Sequence, residues 1–105
     1  MLSKKGTSLN AVVATGAGDT ILLGEVRFDT TCQIFFTGTV TALVVDLEGG
    51  LDGSHFDVLG TKTFSAAEIT AKFGSLSVNG KGVNSLRLNV TTYTGTGPVT
   101  GHVAG

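Results

Sequence analysis

The sequence contains no tryptophan, one tyrosine, one cysteine and one proline among 105 residues. A lone cysteine, Cys32, excludes an internal disulfide and any zinc site built from several cysteines. That suits a chain made in a reducing cytoplasm. Without tryptophan, and with only Tyr93 beside the 94–97 loop, little is present on which a sugar ring could stack. Charge is scarce too: seven Lys/Arg stand against eight Asp/Glu, for a net charge of −1. A nucleic-acid partner needs a basic patch to displace counterions, so none is expected. The apolar runs, such as 34–36 and 42–45, fall far short of the roughly 20 residues of a spanning helix, so no membrane partner is expected either. The basic start at 1–6 is followed by no apolar segment of the kind a secretory signal requires.

What is present is Gly and Thr, 16 of each, with 12 Val. That mixture suits strands joined by glycine turns. With 41% hydrophobic residues the chain is not disordered by composition. One domain is expected, exposing on the order of 5,500 Å² when folded.

Short apolar segments alternate with Gly, Asn and Asp along the chain. Strands are expected at 9–14, 21–28, 32–37, 39–48, 55–59, 73–79, 84–94 and 99–103. Turns are expected at 15–19, 29–31, 49–54, 79–82 and 94–98. Alternation puts Cys32, Ile34 and Phe36 on one face, and likewise Leu86, Leu88 and Val90. It also puts Leu22, Val26 and Phe28 on one side, with Glu25 and Arg27 outward. Ser65 and Glu68 have capping-box spacing, which predicts a single helical turn over 65–70. Residues 1–8 are polar and aperiodic and read as a flexible N-terminal arm, with Lys4 and Lys5 as its contacts. The fold expected is therefore all-β: a single sandwich of about eight short antiparallel strands over 9–105.

The 39–48 strand carries an interface expectation. Leu43, Val45 and Leu47 form one face, and Val40, Ala42 and Val44 form the other. A strand apolar on both sides is buried on both sides, so Val40, Ala42 and Val44 are the candidate surface for a homo-oligomer.

Candidate chemistry is thin. Asp46, Glu48, Asp52 and Asp57 crowd one turn but lack the spacing of a calcium loop. His55 and His102 have no spacing that predicts a shared metal. Ser54, His55 and Asp57 supply the letters of a hydrolytic triad, but neighbours on a strand point apart and no nucleophile elbow surrounds the serine. Gly16-Ala17-Gly18 lacks the loop–helix context of a phosphate cradle and reads as a turn. Cys32 reads as a small core residue. No catalytic residue, metal or cofactor is expected, and the chain is expected not to be an enzyme.

Two segments carry a family resemblance. Residues 39–60, TVTALVVDLEGGLDGSHFDVLG, resemble a strand of the form V-x-L-x-G-S-L-D-G, followed by an aromatic and an L-G turn, in small structural proteins of tailed bacteriophages. Residues 78–92 are similar to the V-x-G-K-x-V-x-x-x-R-x-N-V-T-T stretch of the same proteins. The sequence departs from the pattern at Gly50, where Ser is usual, and at Phe56, often Trp. The resemblance implies a jelly-roll-like sandwich and a capsid decoration (cement) protein on the virion surface. Such a protein would be a homotrimer that stabilises the head by bridging subunits of the major capsid protein. The alternative it leaves is a carbohydrate-binding or adhesion domain of a phage fibre, and more remotely a tail-tube or neck component.

Overall fold

The computed structural model describes residues 4–105. Its elements are β1 (Lys5–Val12), β2 (Gly16–Ala17), β3 (Ile21–Phe36), β4 (Val40–Gly50), β5 (Asp57–Thr63), α1 (Ala66–Ala71), β6 (Phe73–Gly95) and β7 (Val99–Ala104). The seven strands form one antiparallel sheet in the order β1-β7-β3-β6-β4-β5, with β2 added to β6.

Two expected turns are absent. Residues 29–31 and 79–82 lie inside β3 and β6, so four expected strands become two long ones. Threonine explains the first: its branched side chain favours strands. The Thr30 and Thr31 hydroxyls donate to the carbonyls of Val78 and Leu76 on the facing strand, at 3.4 and 3.1 Å. Between these long strands the register shifts twice, once between Leu22 and Arg27 and once between Arg27 and Asp29. Such bulges bend a strand, and here they fold one sheet into two layers. The first layer comprises β1, β7, residues 29–36 of β3 and residues 73–79 of β6. The second comprises β5, β4, residues 85–95 of β6, and β2. The result is the all-β sandwich expected.

The core lies between the layers. Cys32, Ile34 and Phe36 from one side meet Leu43, Leu47 and Leu88 from the other, all buried. The inward faces expected of β3's second half, β4 and the end of β6 are those observed. Layer spacing depends on Gly101 of β7, since a Cβ there would run into the Leu88 side chain. Helix α1 forms where the capping box predicted it: Glu68 N–H donates to Ser65 Oγ at 3.3 Å, and Ser65 N–H to Glu68 Oε1 at 3.1 Å.

Two expectations need correction. The first is the arm. Residues 5–8 are the first half of β1, paired with β7 from Lys5↔Ala104 onward. Lys4 exchanges two backbone hydrogen bonds with Gly105, at 3.0 and 2.9 Å. Ser8 is 2% exposed. Its hydroxyl donates to the Asp19 carbonyl at 2.7 Å and accepts from Leu88 N–H at 2.9 Å. The aperiodic sequence is thus an edge strand held by backbone pairing and one buried serine, and the boundary expected at residue 9 falls inside it. Residues 1–3 of the expected arm lie outside the described residues.

The second is the Val40 face. A register shift between Val40 and Ala42 breaks the alternation. It turns Val40 into the core, at 4% exposed, while Ala42 and Val44 stay half-buried on the outer side. The three do not form one stripe.

Candidate functional site

The exposed apolar side chains are not where alternation was expected to leave them. The first half of β3 is turned over: Leu23 points into the core at 4% exposed, and Leu22, Val26 and Phe28 face outward at 63, 48 and 60%. Leu23 and the Arg27 stem close the end of the sandwich against Gly105, where a Cβ would lie 2.9 Å from Leu23 and 3.6 Å from Arg27 Cβ.

These outward side chains converge on two segments that carry the family resemblance, the loop after β4 and the middle of β6. Val26 and Phe28 fold over Gly82, whose Cβ would sit 3.2 and 2.9 Å from them. Leu22 reaches toward Gly53, with 3.8 Å to a Cβ there. Between that loop and the middle of β6 is a depression of about 270 Å³, whose lining includes Leu51, Asp52, His55, Asp57, Leu59 and Lys81. Leu51 is 62% exposed at its mouth.

The 51–57 loop is shaped by Asp52. Its Oδ1 accepts from the N–H groups of Ser54 and His55 at 2.9 and 2.8 Å, and Oδ2 contacts His55 Nδ1 at 2.6 Å. The His55 and Ser54 N–H bonds, then the imidazole contact, hold the Asp52 carboxyl well below its ordinary range. Gly50, one departure from the phage pattern, is explained here: a Cβ would collide with the His55 carbonyl. Phe56, the other departure, lies under the Arg87 guanidinium, 3.9 Å from ring centre to Cζ. Arg87 Nε donates to Glu48 Oε1 at 2.7 Å, and Asn89 Nδ2 to Glu48 Oε2 at 3.1 Å. Glu48, 7% exposed, thus joins β4, β6 and the loop.

Three of the four crowded carboxylates take separate partners, Asp46 with Thr61, Glu48 with Arg87 and Asp52 with His55, while Asp57 lines the depression. Among the described residues no group of three or more His, Cys, Asp and Glu could hold a metal ion. His102 sits on β7 with its Nδ1 2.9 Å from the Thr7 hydroxyl, away from the His55 loop. Gly16 and Ala17 pair with β6 as β2, and Gly18 N–H donates to the Leu88 carbonyl at 2.8 Å. Cys32 lies in the core at 1% exposed, and burial pushes its thiol up to about 11. Tyr93 is half-buried and its hydroxyl donates to the Gly97 carbonyl at 2.6 Å, so it serves the turn. Sequence reasoning missed Leu22, Val26 and Phe28 as surface. The available signal was Leu23, an apolar residue on the opposite side from them.

No family model matches the sequence, and no curated protein matches it. The fold is similar to solved structures. The SPBc2 prophage-derived protein YomS superposes with a TM-score of 0.60 at 13% identity, over 98% of this chain and 93% of that one. The CBM32-5 module from Clostridium perfringens, in complex with GalNAc-β-1,3-galactose, gives 0.60 at 10% identity over 97% and 93%. A chitosan-binding module from Paenibacillus sp. IK-5 gives 0.59 at 13% over 96% and 75%. The chain therefore has a β-sandwich fold shared by a prophage protein and by carbohydrate-binding modules.

Proposed function

We propose that this chain is a capsid decoration (cement) protein of a tailed phage, docking on major capsid subunits through the apolar-rimmed end of its sandwich. One observation carries the reading. Leu22, Val26 and Phe28 of β3 are exposed together with Leu51 beside a depression, and the segments that line the depression are the ones that resemble phage structural proteins. The total exposed surface, 5442 Å², matches that of a compact chain of this mass. The apolar exposure is thus a matter of placement, and a gathered apolar patch marks an interaction site. The likeness to a prophage protein along nearly the whole of both chains supports the same source. The role is mechanical and non-enzymatic. Each copy adds buried area across a seam between capsid subunits, and many weak copies act together. A homotrimer made in the host cytoplasm and seated on the virion surface, without nucleic-acid or membrane contact, completes the reading.

The test is a Leu22→Ser/Phe28→Ser double variant added to undecorated heads. Because both side chains are already in water, the melting temperature should move by no more than about 2–4 °C. Head occupancy should fall at least about tenfold. Unchanged occupancy would overturn the docking end.

A second reading is a carbohydrate-binding or adhesion domain of a phage fibre. It is favoured by neighbours described as a chitosan-binding module and as a module in complex with GalNAc-β-1,3-galactose. Binding to a glycan array by a chain that ignores capsids would select it.

A further inference from the structure

The outer face of the first layer, remote from the docking end, has an ordered chemistry of its own. Strand registers arrange it in rows. Phe35 lies opposite Phe73 across β3 and β6, and both rings are partly exposed, at 39 and 45%. The next row runs Thr7–His102–Gln33–Ser75 across β1, β7, β3 and β6. The Phe35 ring also lies 5.6 Å from the His102 ring, at 43°. A shallow depression of about 390 Å³, lined by Lys5, Gly6, Thr7, Gln33 and His102, opens on the same face, with His102 linking it to the Phe35 ring. That lies in the range of small-ligand sites, roughly 300–1,000 Å³.

We infer that this face, with Phe35 and Phe73 as platform and Gln33 and His102 as hydrogen-bonding groups, is a binding surface for a hexopyranose. This rests on the carbohydrate-binding reading above and places its ligand on the sheet, away from the docking end. The two residues are register partners on neighbouring strands, about 4.8 Å apart, so both partly exposed rings border the same stretch of this face. Aromatic faces are electronegative and attract the polarised C–H bonds on the flat side of a pyranose. A sugar also needs donors and acceptors at its rim. The exposed Gln33 amide makes no hydrogen bond to a described residue, so its carbonyl and NH2 are both free for a pair of hydroxyls. The Thr7 contact occupies His102 Nδ1 and orients the ring, leaving Nε2 for the ligand. No carboxylate lines the depression, and Lys5 adds a positive charge, so an anionic sugar is accepted as readily as a neutral one. The polar row disfavours a protein partner, whose contact core would be apolar and closed to water.

An open face with one platform gives a dissociation constant on the order of millimolar. The test is a ¹H–¹⁵N NMR titration of the whole chain with methyl β-galactoside, methyl β-glucoside and glucuronate, each to about ten times a millimolar constant. At least one should shift amides in 5–7, 31–35, 73–77 and 100–104. Gln33→Ala and Phe73→Ala, both at exposed positions, should each weaken binding about tenfold with the melting temperature unchanged. Shifts confined to 49–57 and 80–83 would overturn the sheet site while leaving the carbohydrate reading in place. No shift with any of the three sugars would overturn the inference, and a blank glycan array beside it would remove the carbohydrate reading as well.

Discussion

The two halves of β3 share one backbone and one alternating pattern, yet their apolar side chains meet opposite surroundings. In the second half, Cys32, Ile34 and Phe36 are buried, and the strand has β7 on one side and β6 on the other. In the first half, Leu22, Val26 and Phe28 stand in water, and pairing to β7 begins only at Thr31. Alternation decides that two faces differ. It does not decide which face has a layer above it. The bulges at 22–29 rotate the strand as it turns the corner, so that Leu23 and not Leu22 meets the core. What is left outside is a patch at the end of the domain, the part of the fold best placed to meet another molecule.

Matched truncations in the two halves give the largest contrast. Ile34→Ala removes a fully buried side chain at the centre of the sandwich and should cost about 3–4 kcal/mol. Phe28→Ala removes more carbon atoms and should cost less than about 1 kcal/mol, because its ring is 60% exposed. Urea melts of the two variants check this. Equal losses would mean that the first half is covered within the subunit, and the docking end would fall with the contrast.

The N-terminal strand sets a second, smaller contrast with the same exposed half. Ser8→Ala leaves the Leu88 N–H without its partner in a buried position and should cost about 1–3 kcal/mol. Deletion of residues 1–8 should therefore lower the melting temperature markedly. An unchanged melt after the deletion would restore the arm expected from sequence.

Much of the sandwich was legible because its central strands alternate cleanly. The inward sets 32/34/36 and 86/88/90, the face of Leu43, Val45 and Leu47, and the capping box at Ser65 all follow from local spacing. Three features were not legible, each for a physical reason. The β1 edge strand has no apolar period, because its stability comes from backbone bonds to β7 and from Ser8, which contacts residues 80 positions away. The 29–31 and 79–82 segments have turn-like composition, yet Asp29, Asn79 and Lys81 lie on the wet outer surface of the sheet, and buried Thr30 has its hydroxyl bonded to the Val78 carbonyl. Val40 and Leu22 were assigned to the wrong side because a bulge shifts alternation by one and leaves no mark on residue type. The outer-face rings were within reach: once Ile34 and Phe36 are placed inward, Gln33 and Phe35 must point out.

The smallest effect expected separates the docking end from the core most sharply. The Asp52 carboxyl is held below its ordinary range chiefly by the His55 and Ser54 N–H groups. A carboxylate whose folded pKa is lowered adds stability that is present above the unfolded value, about 3.9, and lost as pH falls through the folded one. Acidification below about pH 4 should therefore loosen the 51–57 loop. Because Asp52 is exposed, the global melt should barely register its share. Asp52→Asn removes the charge at every pH and keeps an oxygen acceptor, so it should shift the Ser54 and His55 amide signals and speed their hydrogen exchange. Ile34 and Leu88 should keep their signals. If Asp52→Asn instead lowered the melting temperature as far as Ile34→Ala, the loop would be part of the cooperative core. The end of the molecule would then not be free to adapt to a partner, and the division drawn along β3 would have to be redrawn at the loop.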